Sequence, residues 1–467
     1  MKVPLSTNSS QFVYKPTRRR FLHAALSIPI AAGLIPSFTS PAQAETGTDN
    51  VPPHQLKFIT PGGHDPRTKV ILIFMQGGLS FFDTFDPKTA SKIRGPFNPI
   101  STAAKGVQIT EPLNPLAKHM NKFLIVNNLH TNISDHDRGA SIVYTASPRV
   151  EGSAFYAPTT YTNPFIEFSR ILTQQASRDI GYVVLHQSTT DINSNLFGQN
   201  EREGRSWSQP WGALKHNDPE TIYSSYDTNT GIFTNPFRGG NLPIDTFRER
   251  MKLLEMLKSR GHTLVGDSVD RYDKSHHKAA SLIDGDFNQS FDLGSESQEL
   301  LLKYGDSKIG KQLLLGRRML DRGARVIVAN DGNYDSHNLI EKNMRLMIPN
   351  FAQALSALLD DIEHMNEKVY VVITTEFGRT PVITASKGRD HWPQAFGIII
   401  AGNDIKEGRV IGKTNDDGII VGDTFDASMT GETILNLMGL GRFEMRGDVV
   451  TSKRFPFIDL NTERVVS

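Results

Sequence analysis

Residues 69–78 read KVILIFMQGG, a continuous apolar run that stops at two glycines. A short run of this kind, without polar alternation, is typical of a strand that is buried on both faces of a parallel sheet. Similar short runs recur along the chain, at residues 123–126, 182–185, 325–329, 369–373 and 396–401. Together these runs predict a central sheet that is mostly parallel.

Helical patterns lie between several of the predicted strands. The clearest are at residues 246–258, 308–322 and 348–365, and the second stops at Gly323, a typical helix terminator. The alternation predicts an α/β fold in which helices cover both faces of the mostly parallel central sheet. Ligands bind such sheets where loops leave the carboxyl ends of strands, so we expect the chemistry in those loops.

The N-terminus predicts export. Residues 17–22 read TRRRFL, the twin-arginine pattern, and a moderately apolar stretch leads from there to AQA at 42–44, a cleavage signal. We therefore interpret residues 1–44 as a twin-arginine signal peptide, which is an address and not an anchor. The expected partner during export is the twin-arginine translocase, and the mature protein is expected to be periplasmic or extracellular.

The remainder of the chain is predicted to form one large domain. Residues 45–68 are rich in Pro, Gly, Thr and Asn and predict a linker or wrapping arm. Residues 69–467 predict a single α/β domain with a polar, loop-rich insertion at about 150–245. After the signal peptide no run approaches about 18 consecutive apolar residues, so no membrane span is expected in the mature form.

The composition excludes several classes of function. The chain has 51 basic and 50 acidic residues, a formal net charge of +1, which argues against a nucleic acid or an anionic membrane as partner. Cysteine is absent, so the protein contains neither a thiolate metal site nor a cysteine nucleophile.

The loop after the run at 123–126 carries the sequence SDHDR at residues 134–138. His136 can bind a metal or transfer a proton, and Arg138 can hold an anionic group such as phosphate or sulfate. The alternative is a helix start, with Ser134 or Asp135 as the N-cap residue. Both interpretations can hold together.

The loop after the run at 325–329 contains Asp331, Asp335 and His337. Asp335 and His337 are two residues apart, so one loop can present both to a single ion, and Asp331 can add a third oxygen. Carboxylate together with imidazole suits zinc, manganese or iron. The alternative is a turn in which an Asp side chain caps the next helix.

Two further loops add candidates. Glu376 follows the run at 369–373 and can be a ligand or a general base, and Arg379 can hold an oxyanion or simply pair with Glu376. The segment GRDHWP at 388–393 places His391 next to an acid and to Trp392, which can exclude water. Because His and Asp are paired here for the third time in a loop beside a strand, we expect one polar site.

These motifs together resemble the bacterial family known as domain of unknown function 1501. The resemblance rests on QGGLSFFDTFD at 76–86, YGDSKIG at 304–310, DSH at 335–337, TEFGRTP at 375–381 and GRDHWP at 388–393. That family is similar in fold to the alkaline phosphatase and sulfatase superfamily. The resemblance implies an alkaline phosphatase-like fold, action on phosphate or sulfate esters, and a metal site at Asp335 or Asp331 with His337 and His391.

The chain departs from the superfamily pattern of two metal ions. The acid of the second metal site falls at Gln76, and the Asp-His pair of that site falls at Glu376 and Phe377. The nucleophile's helix start falls near residues 134–136. Because Gln is a poor metal ligand and Phe is none, we expect at most one divalent ion, zinc, manganese or iron.

Two functions remain open from the sequence. The first is a single-metal hydrolase of phosphate or sulfate esters, with His136 or Glu376 as the base and Arg138 or Arg379 steadying the anion. Its ion would be held by Asp335, His337 and His391. The second is a non-catalytic descendant of the fold that binds a ligand or partner at the cell surface.

Overall fold

The computed structural model describes residues 57–59, 68–89, 92–145, 180–186, 221–227, 229–235, 286–405, 407–437, 442–445 and 448–450, with isolated positions between 245 and 256. The predicted signal peptide, most of the predicted arm and most of the predicted helix at 246–258 lie outside the described residues.

Within these residues the central sheet has ten strands. In chain order they are β1 (Lys69–Met75), β2 (Phe123–His130), β3 (Ile180–His186), β4 (Thr221–Asp227), β5 (Ile232–Phe233), β6 (Ala324–Asp331), β7 (Val369–Thr374), β8 (Phe396–Gly402), β9 (Arg409–Ile411) and β10 (Phe425–Asp426). Their order across the sheet is β9-β2-β8-β7-β1-β6-β3-β4-β5, and β10 also pairs with β2.

The sheet is mixed but mostly parallel. The inner strands β7, β1, β6, β3 and β4 pair in parallel, whereas β8 runs antiparallel to both β7 and β2. Every residue of β1 is buried, so both faces of the sheet are covered at its centre. The α/β fold class predicted from the sequence is confirmed.

Each apolar run corresponds to a strand, and the strands extend beyond the runs into polar residues. β2 continues through Asn127 and Asn128 to His130, and β6 continues to Asp331. The segment predicted as a loop-rich insertion contains β3, β4 and β5. Strand β4 was not predicted because it reads TIYSSYD and has no continuous apolar run.

Five α-helices fall within the described residues: α1 (His136–Thr145), α2 (Gln298–Tyr304), α3 (Lys308–Asp321), α4 (Ile340–Ile362) and α5 (Met429–Leu437). Helix α3 packs on α4 and β6, and α5 packs on α1 and β7. α4 begins at Ile340, before the predicted start at residue 348. The prediction missed the first turns of this helix because they are largely exposed and show little apolar pattern. None of these described helices has the length and apolar character needed to cross a membrane.

A buried ion pair fixes the loop after β1 to the segment before β8. Arg389 donates from Nε and Nη2 to the two carboxylate oxygens of Asp83, at 2.7 and 3.1 Å, and both side chains are fully buried. Ser80 Oγ donates to the same carboxylate at 2.5 Å, and Arg389 Nη1 donates to the Thr380 carbonyl at 2.9 Å. The pair therefore has the additional hydrogen bonds that a buried charge requires.

We predict that Arg389→Ala lowers the free energy of unfolding by about 3–5 kcal/mol, because it leaves the Asp83 carboxylate buried and unpaired. The matched control is Lys92→Ala, which removes an ion pair with Asp417 whose side chains are 69% and 52% exposed. That change should cost about 1 kcal/mol or less. Urea denaturation of both variants measures the difference, and equal losses would contradict the prediction.

Candidate metal centre

Four segments of the chain meet at one edge of the sheet, beyond the carboxyl ends of β1, β6 and β7. The site residues predicted from the sequence that lie together there are Asp335, His337, Glu376, Arg379, His391 and His136. They come from the loop after β6, the loop after β7, the segment before β8 and the first turn of α1.

Asp335, His337 and His391 form the centre of this group, here called the Asp–His–His cluster. Asp335 Oδ1 lies 3.0 Å from His337 Nε2 and 3.5 Å from His391 Nε2. The two Nε2 atoms are 3.1 Å apart. Three donor atoms from two distant segments therefore face one point.

Hydrogen bonds on the far side of each ring determine which nitrogen faces the cluster. His337 Nδ1 donates to Asp390 Oδ1 at 2.6 Å, and His391 Nδ1 donates to the Ser134 carbonyl at 2.6 Å. A carboxylate and a carbonyl only accept, so each Nδ1 carries the proton. In the neutral rings the lone pairs are then on the two Nε2 atoms, which is the arrangement found in metal-binding histidines.

The ionisation of the cluster suits a cation. Burial lowers the pKa of His391 and outweighs the hydrogen bond to the Ser134 carbonyl, which acts to raise it, so the neutral imidazole is favoured. Burial alone would raise the pKa of Asp335, but the hydrogen bond and charge of Arg379 outweigh it, so the pKa is lowered and Asp335 stays ionised.

The separations fit a single small ion. Ligands of a tetrahedral ion with bonds of 2.0–2.1 Å lie about 3.3 Å from one another, close to the three distances in the cluster. The side chains of Asp335 and His337 are 44% and 45% exposed, so the point between them is open to solvent. Open sites are typical of catalytic metals, whereas structural zinc sites are closed.

Arg379 holds Asp335 from behind. Its buried guanidinium donates to Asp335 Oδ1 at 2.5 Å, to the Gly78 carbonyl at 3.0 Å and to the Arg389 carbonyl at 3.0 Å, and it also donates to the Gly77 carbonyl. These bonds occupy its three nitrogens. The structure therefore places Arg379 as a support for Asp335, contrary to the expectation of an oxyanion clamp.

Glu376 is fully buried, and both oxygens of its carboxylate accept hydrogen bonds. Oε1 accepts from the Gly77 amide at 2.7 Å and from His136 Nδ1 at 2.5 Å, and Oε2 accepts from Thr375 Oγ1 at 2.9 Å. An enclosed carboxylate of this kind cannot reach a substrate directly. The structure thus places Glu376 behind His136, and not at the position expected for a general base.

His136 is the first residue of α1, and Asp135 is the N-cap, because its Oδ1 accepts from the Arg138 amide at 3.0 Å. His136 Nε2 points toward the cluster and lies 3.4 Å from Asp335 Oδ2. Burial acts to lower the pKa of His136, but the hydrogen bond with Glu376 and the charges of Glu376 and Asp335 raise it overall. The partly buried Arg138 follows in the first turn of α1.

Asp331 is not part of the cluster, contrary to the expectation of a third oxygen ligand. It is buried at the end of β6, where Oδ2 accepts from the Tyr334 hydroxyl at 2.6 Å and Oδ1 pairs with Lys308 Nζ at 3.1 Å. Both oxygens are therefore engaged away from the cluster. The sequence left open whether Asp331 or Asp335 lies beside the histidines, and the structure places Asp335 there.

Two of the three positions expected at a second ion carry uncharged groups. Gln76 Oε1 accepts from Asn330 Nδ2 at 2.9 Å, forming a neutral amide pair. The buried ring of Phe377 packs against His136 and His391, with ring centroids 4.9 and 4.6 Å away. Phe377 therefore acts as an apolar wall that holds two histidine rings in place.

The sequence did not predict the two groups that orient the rings, Asp390 and the Ser134 carbonyl. Asp390 was paired with its neighbour His391, but it binds His337, 53 residues away in the chain. The backbone at Gly388 was the available signal, because an added Cβ there would lie 2.0 Å from the His337 carbonyl carbon. Only glycine lets the segment before β8 approach the loop after β6 so closely.

No curated protein matches the chain in sequence. Among solved structures, it is similar to Ps i-CgsB in complex with k-i-k-neocarrahexaose (TM-score 0.37, 11% identity, 80% of this chain and 72% of that chain). It is also similar to the zinc complex of the C-terminal periplasmic domain of EcEptC from Escherichia coli (TM-score 0.36, 10% identity, 85% and 87%). A protein in the alkaline phosphatase superfamily from Vibrio parahaemolyticus is a third such structure (TM-score 0.34, 10% identity, 81% and 67%).

The family comparison covers most of the chain. The model of the family described as "Protein of unknown function (DUF1501)" matches residues 67–445, and the chain therefore belongs to the DUF1501 family.

Proposed function

We propose that this protein is an exported, single-metal hydrolase that cleaves esters of phosphate or sulfate. The observation that carries the proposal is the Asp–His–His cluster, in which Asp335, His337 and His391 turn three donor atoms to one solvent-open point. The twin-arginine pattern at residues 17–22 supports the export of the protein to the periplasm or beyond.

A divalent ion held by the cluster would act as a Lewis acid and lower the pKa of a bound water. The chain's own contribution is to hold the ligands in place. Arg379 keeps Asp335 ionised and oriented, while Asp390 and the Ser134 carbonyl keep the two Nε2 atoms turned inward. Second-shell bonds of this kind commonly govern metal affinity.

The substrate would approach from the exposed side of the cluster. Asp335, His337 and Asp390 have side chains that are about half exposed, whereas Phe377 and Glu376 close the inner side. An ester group can therefore reach the centre from solvent while the inner wall keeps water away from the buried carboxylate.

A second candidate function is ligand or partner binding without turnover. One specific observation favours it. Glu376 and Arg379, which were expected to act on a substrate, form their hydrogen bonds with other groups of the protein. A binding protein could use the same centre to hold an anionic ligand at the cell surface.

We predict that the exported protein contains about one divalent ion per chain, and that Asp335→Ala and His391→Ala each lose the ion and the hydrolysis. Elemental analysis measures the ion, and p-nitrophenyl phosphate, bis-p-nitrophenyl phosphate and p-nitrophenyl sulfate measure turnover. The matched control is His364→Ala, an exposed histidine just after α4, which should retain both.

The metal content and the ester turnover together distinguish the hydrolase from the binding protein. An ion without turnover of any of the esters would support the binding protein, and a folded protein that contains no ion would remove the hydrolase. Circular dichroism of each variant shows whether the fold has survived the substitution.

We also predict that Asp390→Ala weakens metal affinity about 10–100-fold, because His337 loses the acceptor that orients its ring. Asp390→Asn keeps a neutral acceptor and should lose less. Competition with a chelating indicator measures both affinities. Asp417→Ala, at an exposed acid on another loop, is the control and should bind the metal as tightly as the wild type.

A further inference from the structure

We propose that His136 is a fourth ligand of the ion, so that the centre consists of three imidazoles and one carboxylate. The inference rests on the ion site of the proposed function and assigns the histidine at the start of α1 to it. The sequence alone leaves His136 open between metal binding and proton transfer.

His136 lies close to the Asp–His–His cluster. The ligand atoms of His136, Asp335 and His391 all lie within 4.8 Å of one another. His136 Nε2 is 3.4 Å from Asp335 Oδ2, a separation close to those within the Asp–His–His cluster. The His136 ring also meets the His391 ring edge-on, with centroids 4.4 Å apart. His136 Nε2 therefore lies within reach of an ion that Asp335 and His391 hold.

All three histidines follow one pattern of hydrogen bonds. Each ring binds an outer acceptor through Nδ1 and turns Nε2 to Asp335: His136 with Glu376 at 2.5 Å, His337 with Asp390 at 2.6 Å, and His391 with the Ser134 carbonyl at 2.6 Å. An acceptor on Nδ1 is the usual companion of a histidine that binds a metal through Nε2. His136 satisfies this rule as fully as the two histidines of the cluster.

The inner nitrogen of His136 supports the same assignment. Within the described residues, His136 Nε2 is buried and makes no hydrogen bond. Asp335 Oδ2 lies 3.4 Å away but makes no hydrogen bond with it, and a buried polar atom without a hydrogen bond is costly. An ion shared with Asp335 and His391 supplies a partner for it.

The surroundings hold His136 as a fixed group. Glu376 is fully buried and also accepts hydrogen bonds from the Gly77 amide and from Thr375 Oγ1, so it anchors the ring on one side. Phe377 packs against the ring on another side, with centroids 4.9 Å apart. A ring held in this way suits a ligand better than a proton carrier, which has to exchange with solvent.

A four-ligand centre also bears on the identity of the ion. Four protein donors fill the tetrahedral shell that zinc prefers and leave no position for substrate. Iron or manganese takes more ligands than four and would keep positions open. The inference therefore assigns iron or manganese to the working protein and expects a zinc-loaded protein to be closed.

X-ray absorption spectroscopy of the zinc-loaded full-length mature protein tests the assignment by counting imidazoles at the ion. We expect three in the wild type and two in His136→Ala and His136→Asn, together with a loss of zinc affinity greater than the roughly 100-fold that an outer-shell change can cost. His364→Ala is the control and should match the wild type in both measurements. His136→Asn keeps a polar side chain of similar size in case the alanine variant does not fold.

The outcomes separate this inference from the proposed function. Two imidazoles in the wild type, with unchanged zinc affinity in both His136 variants, would overturn the fourth ligand while leaving an active hydrolase possible. Three imidazoles without turnover of esters, even with iron or manganese, would support the fourth ligand and remove the hydrolase. A wild-type protein that binds no ion would overturn both.

Discussion

The centre depends on one buried guanidinium, that of Arg379. It binds the carbonyls of Gly77 and Gly78 after β1, the carbonyl of Arg389 before β8, and the carboxylate of Asp335 after β6. A buried guanidinium that lost these partners would cost several kcal/mol, so the acceptors have to converge on it. Three segments that are remote in the chain are thereby held at fixed distances from each other. The side chains of Asp335 and His391, which two of these segments carry, are fixed with them.

Around this point the polar groups are arranged in shells. Asp335 and the histidines face inward, and each is backed by a second group: Arg379 behind the carboxylate, and Glu376, Asp390 and a backbone carbonyl behind the three rings. The buried pair of Asp83 and Arg389 fastens the outer layer to the sheet. The buried charges of this group that the structure describes thus have partners, and a further positive charge at the solvent-open point would lie beside the ionised Asp335.

The sequence predicts the parts of this arrangement that depend on local pattern. Apolar runs identify the inner strands because those strands are buried on both faces, and β4 escapes because its hydroxyl residues break the pattern. Asp335, His337 and His391 could be placed together because loops at one sheet edge meet. The sequence could not predict the direction in which the Glu376 carboxylate points, or whether Asp331 or Asp335 lies in the cluster. Both depend on partners elsewhere in the chain, such as Gly77 for Glu376 and Lys308 for Asp331.

The antiparallel direction of β8 determines at which edge of the sheet His391 lies. Because β8 runs against β7, the residues that precede β8 emerge at the same edge as those that follow β7. Had this seven-residue strand run the other way, His391 would have been left at the opposite edge, roughly 23 Å away. Chain polarity at a single strand, and not only the identity of the side chains, therefore determines whether this protein can assemble a ligand set at all.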